Sequence, residues 1–322
     1  MNDPLLVLRP SSYWVHVLDF IKIDHGAISE FAQTISPSDL PSDPGVRFFY
    51  DGWTTEEKIA LLLIFNSINF SFWPDHGQNR WTVQDQNGKT LDGSTAASWC
   101  LETAAKTGFF DPLNFTFFEH ISEEDLAAIF HHEKVENEIP MLRERAVCLN
   151  ELGQRLRIQN CGDIRSLLGS WNRNAVNAVQ YLINSVPNFN DVPFFKRAQL
   201  AVSMIHRVLL KERPHEAFED IGALTAFADY RLPQVLRGMG VLVYWEGFAD
   251  VVDREMEIAP GTLMEFCIRG ATVWAAEYLR QELENRWELP VTAAQVDTFL
   301  WYKARELKDS LGPHHRTRTT AY

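Results

Sequence analysis

Three scarcities frame this 322-residue chain: long apolar runs, clustered cysteines and positive charge. The longest apolar stretch, residues 59–65, is far shorter than the roughly 20 residues that cross a bilayer. Cys100, Cys148, Cys161 and Cys267 stand apart, without the paired spacing of a metal site or a redox motif. They read as buried thiols of a reducing compartment. Residues 1–10 carry Asp3, Pro4 and Arg9 around a very short apolar run, which is unlike a secretory leader, so a cytoplasmic protein is expected. Lys and Arg number 30 against 43 Asp and Glu, a formal net charge of −13. That balance argues against a phosphate backbone as the main partner, because such binding needs basic side chains to neutralise phosphates. A small substrate with one phosphate stays compatible with it.

Familiar catalytic signatures are missing as well. There is no nucleophilic serine elbow and no dinucleotide glycine fingerprint. Gly88-Lys89-Thr90 is not a phosphate loop, since Val83 occupies the place of that motif's first glycine. His131-His132-Glu133 lacks the i, i+4 histidine pair of a helical zinc site and reads as surface or partner-facing. Neither a metal nor a cofactor is expected. No internal repeat or low-complexity block is present.

What the chain does have is helical periodicity and 10 Trp with 21 Phe, enough aromatic surface for a pocket that stacks planar ligands or for an aromatic core. One helix is expected over about residues 12–32, on Trp14, Val17, Leu18, Ile21, Ile28 and Phe31, ended by a Pro/Ser/Asp loop. Thr54 with Glu57 makes a capping box for a helix that is apolar nearly all round, hence central. The amides and hydroxyls of residues 66–71 then need partners, at an irregular helix end or in a pocket. Asn87-Gly88 between residues 80–85 and 89–91 signals a two-residue β-hairpin. Further helices are expected over residues 94–106, from the Ser122/Asp125 cap to about 131–133, and over 141–159, 172–186, 196–211 and 262–284, with a last one from the Thr292/Gln295 capping box. Lys196 and Arg197 open one of these helices, where cations oppose the dipole; an anionic ligand would explain the placement, an exposed first turn would equally do so. Asp297 heads the apolar stripe of the last helix, either capping its own first turn or reading a donor on a ligand.

The chain is organised around Phe227-Ala228-Asp229-Tyr230-Arg231-Leu232-Pro233-Gln234. Phe218, Ile221, Leu224, Thr225 and Ala228 recur upstream at helical spacing, and Pro233 suits the first turn of a new helix. Asp229 would then lie in a bend near a helix N-terminus, where a carboxylate stays ionised. It could serve there as a cap, as a partner of Arg231, or as a reactive acid.

This octapeptide, together with Asn69-Phe70-Ser71-Phe72-Trp73, Phe195-Lys196-Arg197-Ala198-Gln199, Ile268-Arg269-Gly270, Trp274, Asp297 and Phe299-Leu300-Trp301, resembles the queuosine salvage proteins over roughly residues 47–305. The resemblance implies hydrolysis of the N-glycosidic bond of queuosine 5′-phosphate, releasing queuine for tRNA modification. It implies a mainly α fold like the helix-hairpin-helix DNA glycosylases, with a small β-hairpin near residues 80–91. A helical region with the hairpin would cover residues 1–145, a glycosylase-like region 146–311, and a disordered tail 312–322.

By the same resemblance Asp229 matches the catalytic carboxylate, Phe227 a base contact and Asp297 an acid that binds queuine. Thr298 and Tyr302 stand where the family often has Tyr and Asp, and share a helical face. No counterpart of an expected histidine occurs among Arg47, Phe48, Phe49 and Tyr50. Trp301 would border the base with Phe227, Lys196 and Arg231 would meet the phosphate, and Trp274 and Asn69 complete the expected substrate-binding set. Because queuine is a 7-deazaguanine, stabilising the sugar cation should carry more of the reaction than protonating the base. A DNA or RNA base glycosylase of the same fold and a non-catalytic helical interaction protein are the alternatives; the latter predicts Asp229 and Asp297 apart and exposed. Neither nucleic acid nor membrane is an expected partner.

Overall fold

The central element is the helix Thr55–Ser67, buried on every side from Lys58 onward. Its start is the expected capping box, with Thr54 N–H donating to Glu57 Oε2 at 2.7 Å and Glu57 N–H to Thr54 Oγ1 at 3.2 Å. It sits within a computed structural model that describes residues 3–18, 20–41, 52–131, 138–159 and 162–322. In chain order the elements are α1 Leu8–His16, β1 Ile21–Ile23, α2 His25–Gln33, α3 Thr55–Ser67, β2 Thr82–Gln84, β3 Thr90–Asp92, α4 Gly93–Lys106, α5 Phe115–Glu119 and α6 Glu123–Phe130. There follow α7 Leu142–Gln159, α8 Ile164–Trp171, α9 Ala175–Ser185, α10 Lys196–Glu212, α11 Arg231–Gly238, β4 Leu242–Tyr244, α12 Glu246–Asp253, α13 Leu263–Trp287 and α14 Ala293–Glu306. The protein is therefore mainly α, and no described helix is long and apolar enough to cross a membrane. Cys100, Cys148 and Cys267 are buried free thiols; Cys161 lies outside the described residues, as do residues 47–50 and 132–133.

Several expectations are corrected. The single helix over residues 12–32 is α1, β1 and α2, because Ile21 and Ile23 alternate inward around exposed Lys22 and Asp24 caps a new helix by accepting from Ala27 N–H. β1 pairs antiparallel with the distant β4, from Ile21↔Tyr244 to Ile23↔Leu242, a partnership no local pattern announces. The hairpin has three loop residues rather than two: Asp85 N–H bonds Lys89 O at 2.9 Å and Gly88 takes φ +76°. The helical spacing over residues 218–228 yields one short 3-10 turn, Ile221–Ala223, and an extended run instead of a helix. The reason is competition: Thr225 N–H donates to Gln199 Oε1 at 2.8 Å and Phe227 N–H to Asp297, bonds that a helix would forbid. Residues 312–322, expected to be disordered, are packed, with His315, Thr317 and Tyr322 nearly inaccessible.

Two buried guanidinium groups explain how the polar end of α3 is tolerated. Arg197 donates to the carbonyls of Ser67, Asn66 and Asn188, and Arg145 to those of Ile68, Phe70 and Ser71. Free carbonyls at a helix C-terminus are the groups that cations satisfy best. Thus Arg197 is a structural cation rather than a ligand-facing one. Arg145 is carried on α7, which packs closely on α5 because Gly153 leaves no room for a Cβ against the Glu119 and Phe118 backbone. Gly153→Ala is expected to destabilise the protein by about 3 kcal/mol, the upper range for overpacking. Thermal unfolding measures this, and an unchanged midpoint would show that the two helices separate freely.

Candidate active site

A cavity of about 230 Å³ opens among α3, α10, α14, the hairpin and the segment that leads into α11. Asp229 lies on that segment and is only 9 % exposed. Its Oδ1 accepts from Arg231 N–H at 2.7 Å and from Leu232 N–H at 3.0 Å, so the carboxylate does cap α11. Both capping bonds end on Oδ1, which leaves Oδ2 outside the cap. Capping and reactivity are therefore not alternatives: two backbone donors and the helix dipole orient the charge.

Asp297 comes to the same cavity from α14 and is 6 % exposed. It does not cap its own helix; Oδ1 accepts from Phe227 N–H at 2.7 Å. Phe227, also a lining residue, is thereby placed by Asp297. Burial, and then the neighbouring Asp229 carboxylate, push the Asp297 pKa well above the usual aspartate range, against the pull of the Phe227 N–H and Lys196. Lys196, 5 % exposed, completes the cluster from the first turn of α10. Burial lowers its pKa while Asp229 and Asp297 raise it in part. Two acids and one ammonium thus face each other in a poorly hydrated space, the opposite of the separated, exposed acids of an interaction protein.

The scaffold beneath this cluster is another ion pair. Arg269, on α13, donates to Asp191 at 2.8 Å and 2.5 Å and through Nε to Ala228 O at 3.2 Å. Asp191 in turn accepts from Lys196 N–H at 3.3 Å. One buried arginine therefore ties the residue before Asp229 to the start of the Lys196 helix.

Asn69, Arg231, Thr298, Trp301 and Tyr302 all line the cavity. Trp274 does not: its indole N–H donates to Leu8 O at 3.2 Å and its ring meets His16, so it fastens α13 to α1. Sequence reading missed Arg80, Asp92, Arg305 and Lys308. Asp92 accepts from Arg80 at 3.1 Å and Arg305 at 3.3 Å, which joins the hairpin to α14 as one side of the cavity. Isolated charges in a hairpin and in a last helical turn carry no local signal of that meeting. Tyr322 was missed because its segment was expected to be disordered. Among the described residues no group of three or more His, Cys, Asp or Glu is placed to hold a metal ion.

The comparisons with known proteins agree with one another. A family described as queuosine salvage protein matches residues 50–322. A protein of Sphaerobacter thermophilus named queuosine 5′-phosphate N-glycosylase/hydrolase is 34% identical, covering 100% of this chain and 99% of its own length. Proteins of the same name from Nematostella vectensis and Mus musculus are 30% and 28% identical, the former over 100% of both chains, the latter over 83% of this chain and 82% of its own.

Proposed function

Because the chain belongs to the queuosine salvage protein family, we propose that it hydrolyses the N-glycosidic bond of queuosine 5′-phosphate and releases queuine, with Asp229 as the catalytic carboxylate. The observation that carries the reading is the meeting of Asp229, Asp297 and Lys196 in one buried cavity with aromatic walls. As the C1′–N bond lengthens, positive charge develops on the ribose. A fixed anion beside that carbon stabilises the charge or attacks it directly, and water then completes the hydrolysis. Asp229 needs little reorganisation for this, since its cap already holds it.

The base edge is the business of Asp297, through the oxygen that Phe227 leaves unbound. N–H donors of the queuine edge, with Lys196, stabilise the carboxylate that burial disfavours. Phe227 and Trp301 border the ring, and Thr298, Tyr302 and Asn69 supply polar contacts around it. Lys196 and Arg231 meet the 5′-phosphate. The substrate is a free nucleotide, and the cell compartment is the cytoplasm, in keeping with the buried free thiols.

The phosphate assignment is tested by Lys196→Met, measured on queuosine and its 5′-phosphate. The variant is expected to lose about 10²-fold in kcat/KM on the nucleotide and most of the preference for it. If nucleotide and nucleoside fall equally, Lys196 serves only the carboxylates.

A further inference from the structure

One wall of the cavity has no regular structure: Asn69, Phe70, Phe72 and Trp73 lie on a stretch after α3 without helix or strand. Its shape depends on what is packed behind it. Arg145 backs Phe70 and Phe72, with its guanidinium 4.5 and 4.6 Å from their rings. Ser71 and Trp73 are backed instead by residues 312–322, a strap that crosses this wall.

The strap imposes a conformation. Ser71 takes φ +37°, which a non-glycine residue adopts only when held. Three bonds hold it: Ser71 N–H to Tyr322 O at 2.9 Å, Ser71 Oγ–H to Thr319 O at 2.7 Å, and Thr319 N–H to Ser71 Oγ at 3.2 Å. Trp73 has a buried indole N–H without a hydrogen-bond partner, so no such bond fixes its ring. Cations do, with the Arg318 guanidinium 3.8 Å and that of Arg316 4.6 Å from the ring centroid. Arg318 also donates to Trp73 O at 3.3 Å, and Arg316 to Pro74 O at 2.5 Å and to Glu255 at 2.8 Å. The His314 ring lies 4.6 Å from that of Tyr230, the cavity residue that follows Asp229. Tyr322 reaches the cavity itself, its ring 4.3 Å from the Arg269 guanidinium.

We propose that this strap belongs to the substrate-binding machinery: Arg318 is a positioning residue that acts through Trp73, and Tyr322 is a wall residue against the bound nucleotide. The proposal rests on the function given above. It assigns the strap to binding rather than to chemistry, since Asp229 is held by its own cap.

The test is steady-state base release from queuosine 5′-phosphate by full-length Arg318→Ala, Arg318→Lys and Tyr322→Ala. Arg318→Ala and Tyr322→Ala are expected to raise KM about tenfold with kcat within about twofold of wild type, and Arg318→Lys, which keeps a cation over the ring, to recover most of the loss. A strap that only stabilises the fold would lower the active fraction and leave KM alone. Should Arg318→Ala not fold, Arg318→Gln carries the same comparison with Arg318→Lys. Unchanged KM in folded variants overturns the proposal while the hydrolase stands; an inert wild type overturns both.

Discussion

Asp229→Asn is expected to lower the rate of base release by about 10³-fold while leaving the fold intact. The separation of the two effects follows from geometry. Asparagine is as good a helix cap as aspartate, and its side-chain oxygen can accept the same bonds from Arg231 and Leu232. The variant should therefore unfold within a few degrees of wild type. Only the charge is lost, and with it the interaction that grows as the ribose becomes cationic. The deficit should lie in kcat rather than KM, since ground-state contacts are kept. Near-normal kcat in the folded variant would remove Asp229 from the catalytic role.

Asp297→Asn is expected to move stability and activity in opposite directions. With all three groups ionised, Asp229 and Asp297 face Lys196 with a surplus negative charge, and burial already disfavours the Asp297 carboxylate. Asparagine keeps an acceptor for Phe227 N–H and removes that charge. The gain should be on the order of 1 kcal/mol, with a rise in the unfolding midpoint of roughly 2–4 °C. Its pH dependence has a definite sign. A carboxyl whose folded pKa is raised contributes stability that is complete below its unfolded pKa and is lost as pH rises towards the folded value. The advantage of the variant over wild type should thus be absent below about pH 4 and present at neutral pH. Base release should fall by about 10²-fold, because an amide cannot offer a charged acceptor to the base edge. A variant less stable than wild type at neutral pH would show that the Asp297 charge is stabilising where it sits.

The parts legible in the sequence were those fixed by neighbours along the chain. The capping boxes of α3, α6 and α14 each pair a side chain with the backbone three residues away, and each forms. The octapeptide around Asp229 was found from its own residues, and nine of the ten residues the resemblance pointed to share one cavity. Trp274 failed because a matched aromatic on a helix has two faces, and the residue spacing does not say which one meets α1. The helical spacing over residues 218–228 misled for a related reason. Apolar periodicity records burial, and an extended segment buried by Gln199 and Asp297 can show the same pattern. Residues 312–322 looked disordered since His, Arg and Thr have little local reason to be ordered. Their partners, Ser71, Trp73, Asp75 and Glu255, lie far away in the chain.

The most direct measurement is a product balance for queuosine 5′-phosphate incubated with wild-type protein and with Asp229→Asn. The account predicts queuine and ribose 5-phosphate in equal amounts from wild type and almost none of either from the variant. Release of inorganic phosphate without queuine, or equal queuine from both proteins, would contradict it.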